Sequence, residues 1–491
     1  MKIAKATIAV SPITISNMIA GFIRAKFTAV FLGTGGVGLF SQAYNFFNFF
    51  IVLASLGMRL GITKYVAKYN SEKDEERVAE TISHAVGMQL AVCLLALVAI
   101  AAFSSYFSRY IFASGSYAIP VLIMSLGLPF VVLAGTFESA LIGLGNYKGF
   151  ARGRVFVTAL SLIPLFIFIL VMKVKGTFWY IVAAALINFS VFYYLMFRYA
   201  PRTVFSRIFA FKRMFGGNGE RKRVAGMLLT YGGASFITGG LGLFCVVFMR
   251  TLLIKYFGLE ANGLYQVVFA VSSYYLALFT NGLWSYYYPR ASAISDEKES
   301  AREMNTTIRF CILGVVPFAA GIYLLRYAVI RILFSSKFLP SAELFSAQLF
   351  GDYFLLLFYL FGISLLAREK IKVYIVFALL YSISFVGLFM LLAPHAGLKA
   401  MPLAYLMSNV LGSVAMGIYH TRCMRIKISR RNIMLFFATV FMLSIIFFIG
   451  GSGPLMFLSK SVFLISCFIF LMTKEEKDKA LRFISTTLSR G

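Results

Sequence analysis

The chain has 491 residues, 60% of them hydrophobic and only 13% charged, with a mean hydropathy of +0.84. That composition excludes a water-soluble enzyme or binding module, because no soluble domain of this size needs so many apolar residues. The net charge of +29 does not mark a nucleic-acid binder: Lys and Arg cluster in every second loop, which is the positive-inside pattern of a membrane protein.

Apolar segments near the length of ~20 residues that a bilayer requires recur along the whole chain. Their positions predict about 14 spans, at 10–32, 38–62, 82–104, 118–143, 155–172, 178–197, 226–254, 264–288, 306–325, 341–366, 373–392, 398–420, 432–450 and 454–472. Alternating strands of a transmembrane barrel are absent from the pattern. Lys2 and Lys5 before an apolar run imitate a signal peptide. Arg24 and Lys26 then follow inside the hydrophobic stretch, so an uncleaved first span is expected.

Loop charge sets the expected orientation. Basic residues follow span 2 (Lys64, Lys68, Lys73, Arg77), span 4 (Lys148, Arg152, Arg154), span 6 (Arg198 to Arg223) and span 12 (Arg422 to Arg431). The intervening loops carry few, so both termini are expected on the cytoplasmic side of the membrane. The basic stretch with Gly216, Gly217 and Gly219 reads as a linker between two halves. The expected division is a lobe at 1–199, a linker at 200–225, a lobe at 226–425, and two further spans with a tail at 426–491. The expected fold is thus all-α and polytopic, with two pseudo-symmetric six-helix lobes around a central cavity plus two C-terminal helices.

An internal repeat supports the two halves. Leu32-Gly33-x4-Gly38-Leu39-Phe40 matches Phe257-Gly258-x4-Gly263-Leu264-Tyr265, an offset of 225 (258 − 33). The same offset carries Glu72, Lys73 and Arg77 onto Glu297, Lys298 and Arg302. Arg24 and Arg250 occupy nearly the same place in each copy, about nine and eight residues before the outer ends of spans 1 and 7. At 1.5 Å per residue that is roughly 12–14 Å below the outer edge. Two readings stand: snorkelling to the headgroups, or a shared cationic cavity in which guanidinium forks meet phosphate oxygens.

Other polar groups in the spans divide in the same way. Arg59 near the end of span 2 and Glu138 in span 4 form a structural ion pair, or Arg59 receives an anionic headgroup at the cytoplasmic mouth. Asp352, in mid-span 10, partners Arg250 or takes up a coupling ion or proton, as Glu138 is also placed to do. Asn48 with Gln42 and Asn45 in span 2, and Gln266 with Ser272 and Ser273 in span 8, line a wet cavity or hold helices together. Trp284 to Tyr288 form an interfacial belt or a sugar-stacking surface.

There is no phosphate-binding loop, no nucleophile–histidine–acid arrangement and no glycosyltransferase-like acidic motif. The cysteines (Cys93, Cys245, Cys311, Cys423, Cys467) and His84, His395 and His420 are scattered, with neither disulfide nor metal spacing. No cofactor, metal or catalytic residue is expected.

Three stretches carry a resemblance: Gly61-Ile62-Thr63-Lys64-Tyr65-Val66-Ala67-Lys68-Tyr69, Tyr287-Tyr288-Pro289-Arg290, and Ser335-Ser336-Lys337-Phe338 with Gln348 to Asp352. With these the chain resembles the polysaccharide transporters of the multidrug/oligosaccharidyl-lipid/polysaccharide exporter superfamily, above all Wzx-type O-antigen and enterobacterial-common-antigen flippases. The likeness runs over most of residues 1–425. It implies movement of an undecaprenyl-pyrophosphate-linked oligosaccharide across the membrane, with a polysaccharide polymerase and a chain-length regulator as partners beside the lipid bilayer. Related lipid II flippases place arginines on helices 1, 2 and 7, where Arg24, Arg59 and Arg250 stand here. Spans 13 and 14 depart from the usual twelve-helix Wzx pattern and point towards the fourteen-helix lipid II flippases.

Overall fold

The computed structural model describes residues 11–208, 218–294, 296–448 and 454–471. Lys2, Lys5, residues 209–217 of the expected basic linker, including Gly216 and Gly217, and the tail after Leu471 lie outside them. The described elements are helical, with no strand among them. Nine stretches of the described residues are long and apolar enough to cross a membrane. Four of them, Ile15–Ser55, Tyr147–Tyr199, Gly239–Ala293 and Ile371–Arg422, run to 41, 53, 55 and 52 residues. At 1.5 Å per residue each measures about 60–80 Å, twice the hydrocarbon thickness of ~30 Å. Each therefore holds two crossings, and the break within it is visible in the backbone.

The first break divides helix α1 (Ser11–Ser55) at Gly33, with φ 68° and ψ −170°. The long helix α9 (Asn218–Gly282) breaks at Gly258, with φ 83° and ψ 175°. These are the two glycines of the repeated motif. Their conformation is one that an L side chain rarely adopts, so glycine is required at both. A second pair marks the repeat further on. Helix α7 (Leu162–Tyr199) breaks at Lys173 (φ 50°, ψ −127°), and helix α14 (Ile371–Ala396) ends at Gly397 (φ 55°, ψ −138°), 224 positions later.

The caps correct the sequence alignment between these points. Asp74 caps helix α3 (Glu75–Phe112), its carboxylate accepting from Arg77 N at 3.0 Å. Asp296 caps helix α11 (Glu297–Leu324) in the same way, accepting from Glu299 N at 2.7 Å. These equivalents are 222 apart, not 225. Glu72 ends helix α2 (Arg59–Ser71), whereas Glu297 begins α11. The match of Glu72, Lys73 and Arg77 to Glu297, Lys298 and Arg302 is therefore an accident of composition. Three residues have dropped out of the second copy before the cap, whose side-chain bond is worth about 1 kcal/mol to helix formation.

Packing divides the chain into two compact units, Ile15–Gln266 and the residues from Val267 onward, so the division falls inside α9. The helix bearing Arg250 packs with the first unit. That unit has two apolar clusters. One joins Met58, which precedes α2, and Ile62 of α2 to Ile82 of α3, Phe137 of α5 (Leu128–Gly143) and Phe192 and Met196 of α7. The other joins Phe46 and Phe47 of α1 to Phe112, Leu128 and Phe178. Side chains on the opposite faces, such as Val171 at 76% exposure, suit contact with lipid.

In the second unit, α13 (Phe345–Ala367) is the central helix: in its stretch 78% of the most apolar window is buried, against 11% for Ile371–Arg422. The two C-terminal helices, α16 (Arg430–Phe448) and α17 (Pro454–Leu471), are built into this unit. Tyr353 and Thr439 hydroxyls meet at 2.9 Å, Tyr323 Oη donates to Phe447 O at 2.9 Å, and Lys460 Nζ donates to Ile446 O at 3.0 Å. A hydrogen bond in hydrocarbon has few competitors, so these bonds fix where α16 and α17 dock.

Candidate substrate site

Within the first unit the two repeated corners cross each other. A Cβ built on Gly38 would overlap the carbonyl oxygen of Leu259, and one on Gly263 would overlap that of Thr34. The two contacts are copies of one another under the 225-residue offset. Small residues let helix backbones approach this closely in a membrane, and here the second glycine of each motif serves that purpose.

Arg250 is sealed into this crossing at 1% exposure. Its Nη1 donates to Ser41 Oγ at 3.0 Å and to Asn262 Oδ1 at 3.3 Å, and its guanidinium lies 5.6 Å over the Tyr265 ring. Asn262 Nδ2 in turn donates to Gly38 O at 2.7 Å. One turn deeper, Gln42 Nε2 donates to Val247 O at 3.1 Å and to Thr251 Oγ1 at 3.0 Å. A fully buried guanidinium cannot be snorkelling to headgroups, so that reading fails for Arg250.

Arg24 differs. It is half-buried, with its guanidinium 5.9 Å over the ring of Tyr180, and Tyr180 packs at 5.8 Å on Phe40. The cause is register. Arg24 stands nine residues before Gly33 and Arg250 eight before Gly258. One residue turns an α-helix by about 100°, so the two arginines leave their helices in different directions. Lys26 is also half-buried, and it lies on another face of the helix from Arg24, two residues along.

The expected Arg59–Glu138 contact takes another form. Buried Glu138 Oε2 accepts from Arg154 Nη2 at 2.7 Å, and this is the ion pair it makes among the described residues. Arg59 lies one turn away across Gly135, where an added Cβ would come within 2.8 Å of Cζ and Nε. It stays within electrostatic reach of the same carboxylate. Two arginines thus share one acid, which leaves a net positive charge at this end of α2. Arg154 had been read only as loop charge; nothing in its sequence spacing to Glu138 on a different helix announces the pair.

Asp352 is fully buried in α13 and held by neighbours of its own unit. Tyr275 Oη donates to Oδ2 and Tyr405 Oη to Oδ1, each at 2.8 Å, with Gln348 Nε2 at 3.5 Å. Gln348 Oε1 beside it is buried with no hydrogen-bond partner among the described residues. Asn48 and Gln266 are half-buried. Trp284, in a π-helical turn at Leu283–Tyr287, donates to Tyr359 Oη at 2.6 Å and is 41% exposed. Residues that the sequence did not single out, namely Ser41, Asn262, Tyr180, Tyr275 and Tyr405, supply most partners of the predicted charges. Of these only Asn262 carried a signal, standing inside the repeated glycine motif.

Comparison with known proteins fits this geometry. Residues 3–237 match the family described as polysaccharide biosynthesis protein. The chain is 26% identical over 402 residues to the lipid III flippase of Escherichia coli (strain K12), covering 76% of this chain and 88% of that protein. The lipid III flippase of Shigella flexneri matches equally. Among solved structures, an inward-facing multidrug resistance MATE family transporter of the MOP superfamily superposes with a TM-score of 0.73 at 14% identity, covering 86% of this chain and 98% of that one. The lipid II flippase MurJ in an inward closed conformation gives 0.70 at 15% identity, covering 96% and 100%. The resemblance carried by the short motifs is borne out: this is a polytopic membrane protein with the fold of these transporters, and residues 3–237 match the polysaccharide biosynthesis protein family.

Proposed function

We propose that the protein is a flippase that carries a lipid-linked oligosaccharide, joined to its lipid through pyrophosphate, from the cytoplasmic to the outer leaflet of a bacterial inner membrane by alternating access. The observation that carries the reading is the sign of the charge at depth. In the first unit Arg250 is a buried cation and Arg24 a half-buried one, while the buried carboxylate there, Glu138, is already neutralised by Arg154. Such a site favours an anion. An exporter of cationic drugs needs unpaired carboxylates in place of these arginines, which disfavours that rival. The curated relatives are flippases for lipid III, and this chain's extra helices α16 and α17 keep lipid II as the second reading.

In this mechanism Arg59 at the end of α2 receives the headgroup, and Arg24 holds the pyrophosphate with Lys26 near it. Arg250 joins them when the crossing at Gly38 and Gly263 parts. Asn48 and Gln266 face the sugar. Both termini and the basic loops are cytoplasmic. Two six-helix repeats, 1–199 and 226–425, form the moving halves, and Asp352 couples the cycle to an ion gradient. A polymerase and a chain-length regulator act on the product.

The test is complementation of a flippase-deficient strain, with expression checked, together with flipping by the reconstituted protein. Each charge-assisted bond is worth roughly 1.5–3 kcal/mol. Arg24→Ala should therefore lower transport about tenfold to a hundredfold, with partial recovery in Arg24→Lys, which keeps the charge and loses the fork. Full activity in the Arg24→Ala, Arg250→Ala double variant would end the pyrophosphate reading.

A further inference from the structure

A cleft of about 430 Å³ in the first unit has no part in the site above. Ser105, Tyr106, Arg109 and Tyr110 of α3 line it, with Lys255 of α9. Tyr106 and Tyr110, one helical turn apart, stack with centroids 5.7 Å apart and planes 11° from parallel. Lys255 Nζ sits 3.6 Å over the Tyr110 ring and closes that face, while Tyr106 is 60% exposed. Arg109 borders the loop at Gly115, its Nε 3.6 Å from where a Cβ would stand. The platform is rigid, because the other face of α3 is fixed. Ser108 Oγ donates to Ser114 O at 2.5 Å and accepts from Tyr117 N at 3.1 Å, and Phe107 packs on Phe46 at 5.3 Å.

We propose that this cleft binds an acidic sugar of the transported headgroup on the face opposite the basic loops. The proposal rests on the flippase reading for its direction, since Lys255 lies three residues before the Gly258 break at the outer end of that helix. An exposed tyrosine face takes the apolar face of a pyranose ring, and two cations beside it take a carboxylate. A headgroup leaving the arginine site finds this cleft at the exit. Aromatic residues that only anchor a protein at the interface have no need of a stacked pair capped by one cation with a second at its rim.

The experiment uses the full chain in nanodiscs of zwitterionic lipid. The probes are an oligosaccharide of alternating glucuronic acid and N-acetylglucosamine and a neutral chitin oligosaccharide of equal length, read by saturation-transfer NMR and calorimetry. The acidic probe should bind and the neutral one should bind about tenfold more weakly. Arg109→Gln, Lys255→Gln and Tyr106→Ala should each weaken the acidic probe about tenfold, with unchanged elution of the purified protein. Equal binding of both probes, or unchanged binding in all three variants, overturns the proposal. So does a cleft that, in a second set of nanodiscs doped with phosphatidylglycerol, takes that lipid and not the sugar. Complementation separates the two readings. Loss of function in the Arg24 and Arg250 variants with normal sugar binding in them leaves both intact. Sugar binding by a chain that complements no flippase deficiency sinks the transport reading and keeps the cleft.

Discussion

Replacing Gly38 by alanine tests the crossing that encloses Arg250. The added Cβ overlaps Leu259 O and falls 2.8 Å from Gly263 N, against a contact limit of 3.0 Å that real Cβ atoms essentially never breach. Both obstacles are backbone, so neither can swing aside. The two helices must separate by roughly 1 Å, a strain of about 1–3 kcal/mol. The Asn262 Nδ2 bond to Gly38 O, now 2.7 Å, then stretches past useful length and costs about 1 kcal/mol more. Gly263→Ala should cost the same, because its Cβ meets Thr34 O in the reciprocal contact. Both changes part the same pair of helices, so the double variant should cost less than the sum, with a coupling of about 1 kcal/mol. Gly35→Ala is the control: its Cβ would sit 3.6 Å from Glu260 Cγ, an ordinary contact, and alanine is the better helix former. The assay is thermal loss of the monodisperse peak of detergent-purified protein. Unchanged stability in Gly38→Ala, or strictly additive losses in the pair, would show that the corners do not touch as described.

Asp352→Asn should express normally, since an amide oxygen still accepts from Tyr275 or Tyr405, but its transport should lose dependence on a proton or sodium gradient; a retained gradient response would make Asp352 structural. Arg154→Gln removes the hydrogen-bonded partner of buried Glu138 and leaves Arg59 as its remaining cation, so it should destabilise by about 1.5–3 kcal/mol, whereas the Glu138→Gln, Arg154→Gln double variant should recover part of it. Melting curves for the two decide, and equal losses would remove the ion pair from the account. Single cysteines at Thr34 and Glu76, in a cysteine-free background, should react with an impermeant reagent from opposite sides; same-side labelling would overturn the proposed topology.

The positions of the spans were legible because an apolar run of bilayer length is a strong signal and a break in it must be a turn. Gly33 and Gly258 were legible as a repeat, and the backbone shows why both are glycine. The slip from 225 to 222 was hidden, because charged loop residues match by composition as easily as by descent, whereas a cap is fixed by its hydrogen bond. Charges could be located along their helices but not paired. Arg154 and Glu138 are 16 residues apart on separate helices, and Tyr275 and Asp352 are 77 apart. Such pairs depend on helix rotation, which apolar periodicity does not report in a membrane, where both the core and the lipid are apolar.

The one-residue difference between Arg24 and Arg250 bears on how a repeated scaffold handles an unsymmetrical cargo. Had both arginines stood the same distance before their glycines, each would leave its helix on the same face and meet the same kind of neighbour. Instead Arg250 is bound to Ser41 and Asn262 inside the crossing, and Arg24 rests half-exposed on Tyr180. Arg250 is tied across the two corners by its bond to Ser41, backed by the Asn262 bond to Gly38 O, and these break if the corners part, while its bond to Asn262 stays within its own corner. A pyrophosphate offers a guanidinium the same kind of bonds with stronger acceptors. In the proposed flippase cycle the substrate anion and the closed crossing would compete for Arg250, while half-buried Arg24 stays on Tyr180 with the crossing shut. Under that proposal the anion would meet one cation with the crossing shut and both with it open, so its binding energy would differ between two conformations, which is what a ligand needs in order to shift one towards the other.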